Sequence, residues 1–189
     1  MEKNWKVGFD LDGVILQNPI RNFRIFAKKL KIIKPLVFRQ KVKPFYIPHS
    51  KFEQFLWQIL HLSSWRIDSA VAEIEKLVKR KKITAYIITG RFSFLKPNFD
   101  SWIKKLNKNK VFAACVMNNN NLQPDKFKIQ MINKLKLDFF VEDNFDIVER
   151  LNHQNKAKIL WLSNFFDQWI SYPYKFFSLK KIVEFLKKQ

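Results

Sequence analysis

The segment Trp5-Lys6-Val7-Gly8-Phe9-Asp10-Leu11-Asp12-Gly13-Val14 decides the fold. A short, mostly apolar run ends abruptly at two aspartates separated by one residue and followed by a glycine. This pattern predicts a strand, Trp5–Phe9, with Asp10 and Asp12 at its carboxyl end. Four later apolar runs of similar length are also predicted to be strands: Ile83–Ile88, Val111–Met117, Asp138–Val141 and Ala157–Leu162.

Amphipathic patterns separate the predicted strands. Apolar residues recur at the i, i+3, i+4, i+7 spacing that places them on one face of a helix. The predicted helices cover Ile67–Val78, Phe99–Leu106, Phe127–Leu135, Ile147–Leu151 and Leu179–Leu186. Strands that alternate with helices, and that are apolar along most of their length, predict a doubly wound α/β fold with a parallel sheet covered on both faces.

The segment 17–64 interrupts this alternation. It holds two helical patterns, Ile20–Leu30 and Phe52–Leu60, on either side of a stretch with Pro35, Pro44 and Pro48. Roughly forty-five residues are too many for a simple connection after the first strand and too few for an independent domain. We therefore predict a small helical cap at 17–64, inserted into a core formed by residues 1–16 and 65–189.

Composition excludes several classes of protein. With 189 residues, of which 47% are hydrophobic and 16% aromatic, the chain can bury a core and is not disordered. The single cysteine, Cys115, excludes an internal disulfide and the usual structural zinc site, and we expect it to be a buried apolar residue. No apolar run has the length of a signal peptide or a membrane span, so we expect a cytoplasmic protein with no membrane partner.

The chain is strongly basic, with 36 Lys and Arg against 16 Asp and Glu and a net charge of +20. Such a charge attracts nucleic acid, anionic surfaces or small phosphorylated molecules, and it is equally compatible with a merely solvated, lysine-rich surface. The lysines occur along the whole chain and do not form one basic and aromatic stripe. We therefore expect a small phosphorylated substrate in preference to a nucleic-acid partner.

Carboxylates lie at the predicted ends of the first and fourth strands. In a parallel sheet these ends meet at one edge, so Asp10, Asp12, Glu142 and Asp143 are expected to converge there. Thr89-Gly90-Arg91 ends the second predicted strand at the same edge. Clustered carboxylates repel one another and require a positive partner. Because the ligands are oxygens and no histidine or thiolate cluster is present, the predicted partner is Mg²⁺.

These segments resemble the four motifs of the haloacid dehalogenase (HAD) superfamily of phosphohydrolases. Asp10-Leu11-Asp12-Gly13-Val14 is similar to the first motif and Thr89-Gly90-Arg91 to the second. Lys128 is similar to the third, and Glu142-Asp143 to the fourth. The motifs occur in the family's order between residues 7 and 146. A lone Asp-x-Asp-Gly would be a weak signal, but four motifs in register with predicted strand ends are specific.

The resemblance implies a role for each motif residue. Asp10 would attack phosphorus and form an aspartyl-phosphate, and Asp12 would protonate the leaving group and then deprotonate the hydrolytic water. Asp10, the Asp12 carbonyl and Asp143 would hold Mg²⁺. Thr89 and Lys128 would donate hydrogen bonds to the phosphoryl oxygens.

Several assignments remain open in the sequence. Lys128 fits the third motif better than Lys126 by spacing. Glu142 stands where many members carry Asp, so it is a weaker candidate metal ligand than Asp143. Asp146 could brace the metal loop or cap the following helix. The histidines have no acidic partner at ligand spacing and are expected to serve packing; they are His49, His61 and His153.

The small cap is similar to that of the 5′-nucleotidase and deoxyribonucleotidase-like branch. The segments Ile159–Leu162 and Tyr172-Pro173-Tyr174 also resemble that branch, which implies a nucleotide substrate. Four aromatic residues near the cap could stack on a base or form core: Phe45, Tyr46, Trp57 and Trp65. Two alternatives stay open, namely a protein that binds nucleic acid or acts on polynucleotide ends, and a phosphotransferase whose acceptor is not water. The oligomeric state is not predicted.

Overall fold

The computed structural model describes residues 3–18, 44–62, 64–164 and 167–189. Numbered along the chain, the strands are β1 Trp5–Phe9, β2 Leu16–Gln17, β3 Arg66–Ile67, β4 Ile83–Phe92, β5 Phe112–Asn118, β6 Phe139–Glu142, β7 Lys158–Leu162 and β8 Lys175–Phe176. Six of them form one parallel sheet in the order β5-β4-β1-β6-β7-β8. The predicted doubly wound parallel sheet is therefore confirmed.

Helices cover both faces of this sheet. They are α1 Lys51–Leu62, α2 Val71–Lys79, α3 Lys96–Leu106, α4 Pro124–Leu135, α5 Phe145–Asn152 and α6 Leu179–Lys187, with a short 3-10 turn at Ser93–Leu95. Apolar residues of α2, α3 and α6 pack in one cluster and those of α4 and α5 in another. Adjacent strand residues alternate between the clusters, since Ile87 lies in the first and Ile88 in the second. In the described part of the chain, no helix is long and apolar enough to span a membrane.

Strand β1 lies at the centre of the sheet, where the strand order reverses. The chain runs outward from β1 through β4 to β5 and then returns to β6 on the other side of β1. In open α/β sheets the ligand crevice lies beyond the carboxyl ends of the strands at such a point. A hydrogen bond joins the end of β1 to β6 at this point, since Asp10 N–H donates to the Val141 carbonyl at 2.9 Å.

A two-stranded antiparallel ribbon is formed at the two ends of the inserted segment. β2 pairs with β3 through Leu16 opposite Ile67 and Gln17 opposite Arg66. Between these strands, the described residues contain α1, which begins at a capping box. The Ser50 hydroxyl accepts the Glu53 N–H at 3.1 Å, and the Glu53 carboxylate accepts the Ser50 N–H at 2.9 Å.

The predicted cap helix at 20–30 lies outside the described residues. The division into a cap at 17–64 and a core at 1–16 and 65–189 stays a prediction. Within the described part of that segment, Phe45 is joined to the core by the Gln123 side chain. The Gln123 side-chain oxygen accepts Phe45 N–H at 2.6 Å, and its amide group donates to the Phe45 carbonyl at 3.2 Å.

Two predicted boundaries were wrong. β4 does not end at Ile88 but continues to Phe92, because a pairing irregularity after Thr89 allows Phe92 to pair with Asn118 of β5. The helix predicted from Ile67 begins at Val71, and Ile67 belongs to β3. In addition, β8 and the β2–β3 ribbon were not predicted, since two-residue strands have no periodic signal.

Candidate active site

Three carboxylates meet at the carboxyl ends of β1 and β6. Oxygens of Asp10, Glu142 and Asp143 all lie within 4.8 Å of one another. Glu142 is the last residue of β6 and is fully buried, and Asp10 is buried directly after β1. The convergence of these residues agrees with the expectation from the sequence.

Lys128 supplies the positive charge inside this cluster. It lies in the second turn of α4, which begins with Pro124 as its first residue. Its ammonium group is 3.0 Å from Asp10 Oδ2 and 2.6 Å from Glu142 Oε2, and the residue is 2% exposed. Lys126 is exposed. The geometry therefore selects Lys128 over Lys126 as the lysine beside the carboxylates.

The cluster is electrostatically strained. Burial raises the pKa of Asp10 well above its ordinary value, and the neighbouring carboxylates add to this effect while Lys128 opposes it. Burial also raises the pKa of Glu142, and the positive charge of Lys128 again opposes this increase. Burial alone would lower the pKa of Lys128, but the negative charges of Asp10 and Glu142 outweigh this effect. The pKa of Lys128 therefore lies above its ordinary value. The lysine is thus held as an ammonium ion.

The residues present fit a divalent cation. Three carboxyl groups share one ammonium ion here, so in their ionised forms they would carry two more negative charges than Lys128 offsets. Asp10 Oδ1 is buried and has no hydrogen-bond partner among the described residues. Both Glu142 oxygens are engaged, one by Lys128 and the other by Asn144 N–H at 3.0 Å. Asp10 and Asp143 are therefore the better metal ligands, and their oxygens suit Mg²⁺.

Gly13 makes room for the Asp143 carboxylate. Its φ of +79° lies in the left-handed region, and a Cβ atom at this position would lie 2.5 Å from Asp143 Oδ2. Any other residue would therefore strain the backbone and push Asp143 away from Asp10.

We expect Gly13→Ala to lose at least about tenfold in Mg²⁺ affinity, and to lose activity with it, because the new methyl group displaces a proposed ligand. The fold should lose only about 1–3 kcal/mol, the typical range for one strained backbone position. Isothermal titration with Mg²⁺ and thermal unfolding would measure the two effects separately. Wild-type Mg²⁺ affinity in this variant would remove Asp143 as a ligand.

Asp12 is held by an arginine clamp. Arg91 Nε lies 2.7 Å from Asp12 Oδ2, Arg91 Nη2 lies 2.6 Å from Oδ1, and the Ser64 hydroxyl donates to Oδ1 at 2.8 Å. Arg91 is itself fixed by Asn98, whose side-chain oxygen accepts from Nη1. Bidentate pairs of this kind are strong and geometrically specific.

This clamp changes the expected role of Asp12. Burial raises the pKa of Asp12, but the Arg91 hydrogen bonds and charge, with smaller contributions from His61 and Ser64, lower it to about 2. In this arrangement Asp12 is a carboxylate and holds no proton for a leaving group. It can accept a proton as it stands, whereas donating one requires Arg91 to move away.

His61 and Ser64 are site residues that the sequence did not reveal. His61 Nε2 lies 3.9 Å from Asp12 Oδ2, and its Nδ1 donates to the Trp57 carbonyl at 2.9 Å. His61 has no acidic partner at ligand spacing in the sequence, and the fold brings it near Asp12, which lies 49 positions away in the chain. No local spacing rule could have found this contact.

The remaining predicted residues lie around this centre. Thr89 is 1% exposed, and its hydroxyl oxygen accepts Arg91 N–H at 3.3 Å. Gly90 packs against Pro124. Asn144 and not Asp146 caps α5, because the Asn144 side chain accepts Asp146 N–H at 3.1 Å. Asp146 lies in the first turn, where a negative charge is favourable.

Comparisons with known proteins relate the fold to one superfamily. No protein-family model matches the chain, and no curated protein matches it. Among solved structures, a HAD-superfamily hydrolase from Ehrlichia chaffeensis is similar with a TM-score of 0.55 and 13% identity, covering 100% of this chain and 98% of that one. CbbY from Rhodobacter sphaeroides, in complex with phosphate, is similar with a TM-score of 0.59 and 12% identity, covering 95% of this chain and 96% of that one.

A haloacid dehalogenase-like hydrolase from Xanthomonas campestris is similar with a TM-score of 0.57 and 9% identity, covering 100% of this chain and 96% of that one. These similarities show that the chain has the HAD fold, in agreement with the motif order. The 5′-nucleotidase-like branch that the cap suggested stays a prediction.

Proposed function

We propose that this chain is a Mg²⁺-dependent phosphomonoesterase that works through an aspartyl-phosphate on Asp10. The observation that carries the proposal is the state of the Asp10 carboxylate. Lys128 fixes Oδ2, while Oδ1 has no hydrogen-bond partner among the described residues, at the carboxyl end of the central strand. One Asp10 oxygen is thus oriented and the other is unpartnered, so that one oxygen can hold Mg²⁺ while the other attacks phosphorus.

In the first step, an Asp10 oxygen forms a bond to phosphorus and the ester oxygen leaves with its electron pair. Thr89 and Lys128 would stabilise the phosphoryl oxygens with a hydroxyl and an ammonium group. Asp10 and Asp143 would hold Mg²⁺, which would neutralise charge on the transferring group. The carbonyl of Asp12 remains a proposed third ligand.

In the second step, water attacks phosphorus and regenerates the Asp10 carboxylate. Asp12 is already ionised and can accept the proton of that water. To donate a proton in the first step, Asp12 must be released by Arg91 and must first take up a proton from water. We infer that a bound phosphate dianion competes for Arg91, because guanidinium groups bind phosphate in the same bidentate way as carboxylate.

A nucleoside monophosphate is the substrate that the surroundings of Asp12 favour. Trp57 lies beside His61 with ring centroids 6.4 Å apart, and Tyr46 lies beside Trp57 at 6.1 Å. Tyr46 is 50% exposed. These rings extend outward from the clamp and offer flat surfaces on which a base can stack.

Metal dependence is the most direct test of the proposed chemistry. A chelator should abolish hydrolysis of p-nitrophenyl phosphate and added Mg²⁺ should restore it, because the carboxylate charges that Lys128 does not offset oppose phosphate binding without the ion. Asp143→Asn should raise the Mg²⁺ concentration needed for half-maximal activity by about 10–100-fold. Asp167→Asn, a change outside the cluster, is the matched control. Full activity of a metal-free preparation would contradict the mechanism.

A substrate panel tests the finer assignment. Nucleoside monophosphates should give a higher kcat/KM than sugar phosphates or 3′-phosphorylated oligonucleotides. Trp57→Leu should lower kcat/KM for the nucleotide by about tenfold, the loss expected for one base stack, and leave p-nitrophenyl phosphate hydrolysis unchanged. Trp169→Leu provides a control, since Trp169 is an exposed tryptophan in the segment before β8. A preference for sugar phosphates would reject the nucleotidase assignment and retain the phosphatase.

A further inference from the structure

Thirteen lysines of the described part of the chain lie at one edge of the sheet. All strands of the main sheet are parallel, so the segments that lead into them lie together at the amino edge, opposite the carboxylate cluster. Lysines occur in the entry segments of five adjacent strands, β5, β4, β1, β6 and β7. We call the surface formed by these five segments the basic edge.

Two of the segments lie side by side before β4 and β5. The first carries the run Lys79–Lys82, and the second carries Lys104, Lys105, Lys108 and Lys110. All of these side chains except Lys82 are exposed. Asn109 of the second segment donates to Glu75 at 3.4 Å, so the second segment contacts α2, the helix that leads into the first.

The other three segments continue the same row. They carry Lys3 and Lys6 before and in β1, Lys134 and Lys136 before β6, and Lys156 and Lys158 before and in β7. Backbone hydrogen bonds join them, from Asp138 N–H to the Lys6 carbonyl and from Lys158 N–H to the Asp138 carbonyl, both 2.9 Å. Four strand spacings give the row a width of about 19 Å.

Few acids offset this charge. Two carboxylates in the described part of the chain pair with lysines of the basic edge, namely Glu75 with Lys79 and Asp138 with Lys3. The catalytic carboxylates lie at the opposite edge. The lysines are dispersed along the sequence, and parallel pairing of the strands brings thirteen of those in the described residues to this one edge.

Three of the lysines occupy backbone positions that normally favour glycine. Lys81, Lys110 and Lys136 have φ values of 55°, 51° and 52°, in the left-handed region, and lie two residues before β4, two before β5 and three before β6. Glycine is the usual residue where a helix ends in this conformation, because a Cβ atom is strained there. At these three positions the chain accepts strain and gains a positive charge at the same edge.

We propose that the basic edge binds the phosphate backbone of nucleic acid, independently of the catalytic site. Phosphate oxygens are contacted mainly by lysine, arginine and amide side chains, and Asn107, Asn109 and Asn133 lie among the lysines. The excess of lysine over arginine favours contacts to phosphates over bidentate contacts to bases, so the binding is independent of sequence.

A nucleic acid fits this surface better than a membrane does. Peripheral membrane surfaces combine basic residues with large apolar side chains that insert into the lipid. Among the described residues, the exposed large hydrophobic side chains lie in the inserted segment, beside β3 and in the segments flanking β8, and not in these five entry segments. The basic edge is charged and polar.

The test is binding of a fluorescent duplex of about 20 base pairs, two helical turns, without terminal phosphates. If each of the five segments neutralises about one phosphate, log K should fall with log[salt] with a slope of about −4.5. The triple variant Lys81→Gly/Lys110→Gly/Lys136→Gly removes three charges and also relieves backbone strain, so it should melt at or above the wild-type temperature.

This variant should bind at least about tenfold more weakly near 0.1 M salt, with a slope shallower by about 3. The control Lys51→Gln/Lys96→Gln/Lys126→Gln removes three exposed lysines from the starts of α1, α3 and α4 and should leave duplex binding nearly unchanged. Asp10→Asn should bind the duplex as the wild type does, which separates this proposal from the catalytic one.

Two results would overturn the proposal. Equal weakening in both triple variants would mean that the duplex senses only the net charge of the chain. Tight binding to vesicles containing phosphatidylserine, with weak and salt-insensitive binding to the duplex, would assign the basic edge to a membrane surface.

Discussion

Asp10→Asn is expected to reduce hydrolysis of p-nitrophenyl phosphate by about 10⁴-fold or more, because an amide cannot form the acyl phosphate. The substitution is nearly isosteric, so Lys128 keeps its 2.6 Å contact with Glu142. Steady-state kinetics would measure the loss, and circular dichroism would check the fold. Asp100→Asn, which changes an exposed aspartate paired with Lys96, should retain full activity.

The same variant should fold more stably than the wild type in the absence of metal. Burial and neighbouring carboxylates raise the folded-state pKa of Asp10, so its ionised form destabilises the fold at every pH above the unfolded value of about 4. The amide is neutral throughout. At pH 7 with chelator, the melting temperature of Asp10→Asn should exceed that of the wild type, and the difference should vanish as the pH falls towards 4.

Two outcomes would contradict this account of Asp10. Activity near the wild-type level would remove it as the nucleophile. A large loss of stability at pH 7 would mean that the ion pair of Asp10 with Lys128 stabilises the fold by more than burial and carboxylate repulsion destabilise it. The electrostatic argument for a bound cation would then fail.

The parts of the site that follow from local pattern were predictable. β1 covers the predicted residues, and it places Asp10 where the motif required. Glu142 and Asp143 also lie at a strand end, as predicted. Strand periodicity and parallel pairing are sufficient for this, because every strand then delivers its last residues to one edge.

The clamp on Asp12 was not predictable in the same way. Arg91, Ser64 and His61 reach Asp12 from segments 49 to 79 positions away. A pKa depends on which charges are brought within a few Å, and neither composition nor spacing contains that information. The motif alone implied an acid at Asp12, whereas the folded chain holds a carboxylate.

The basic edge was less predictable than the carboxylate cluster and more predictable than the clamp on Asp12. The lysines are dispersed along the chain as a whole, but they are grouped relative to the predicted strands. Each group stands just before or at the start of a strand, as Lys79–Lys82 stand before Ile83 and Lys110 before Phe112. In a parallel sheet that regularity alone predicts a single charged surface. The signal was present in the sequence, and topology was needed to interpret it.

Lys128→Met is expected to be the most destabilising substitution in the site. It removes the cation between Asp10 and Glu142, whose oxygens lie 3.0 Å and 2.6 Å from it. Breaking a buried ion pair by removing one partner typically lowers the free energy of unfolding by about 3–5 kcal/mol. Activity should be lost as well, since the variant lacks a donor to the phosphoryl group. Chemical denaturation and p-nitrophenyl phosphate kinetics would measure the two effects.

Lys126→Met is the matched control, because it makes the same change on an exposed position of the same helix. It should alter the free energy of unfolding by less than about 0.5 kcal/mol and leave activity intact. Adding Glu142→Gln to Lys128→Met should restore part of the stability by removing one buried charge, without restoring activity. The destabilisation should also shrink as the pH falls towards the unfolded carboxyl pKa of about 4, where the acids are protonated in both states. If Lys126→Met and Lys128→Met behaved alike, the buried lysine would not be the partner of Asp10, and the third motif would have to be assigned elsewhere in the chain.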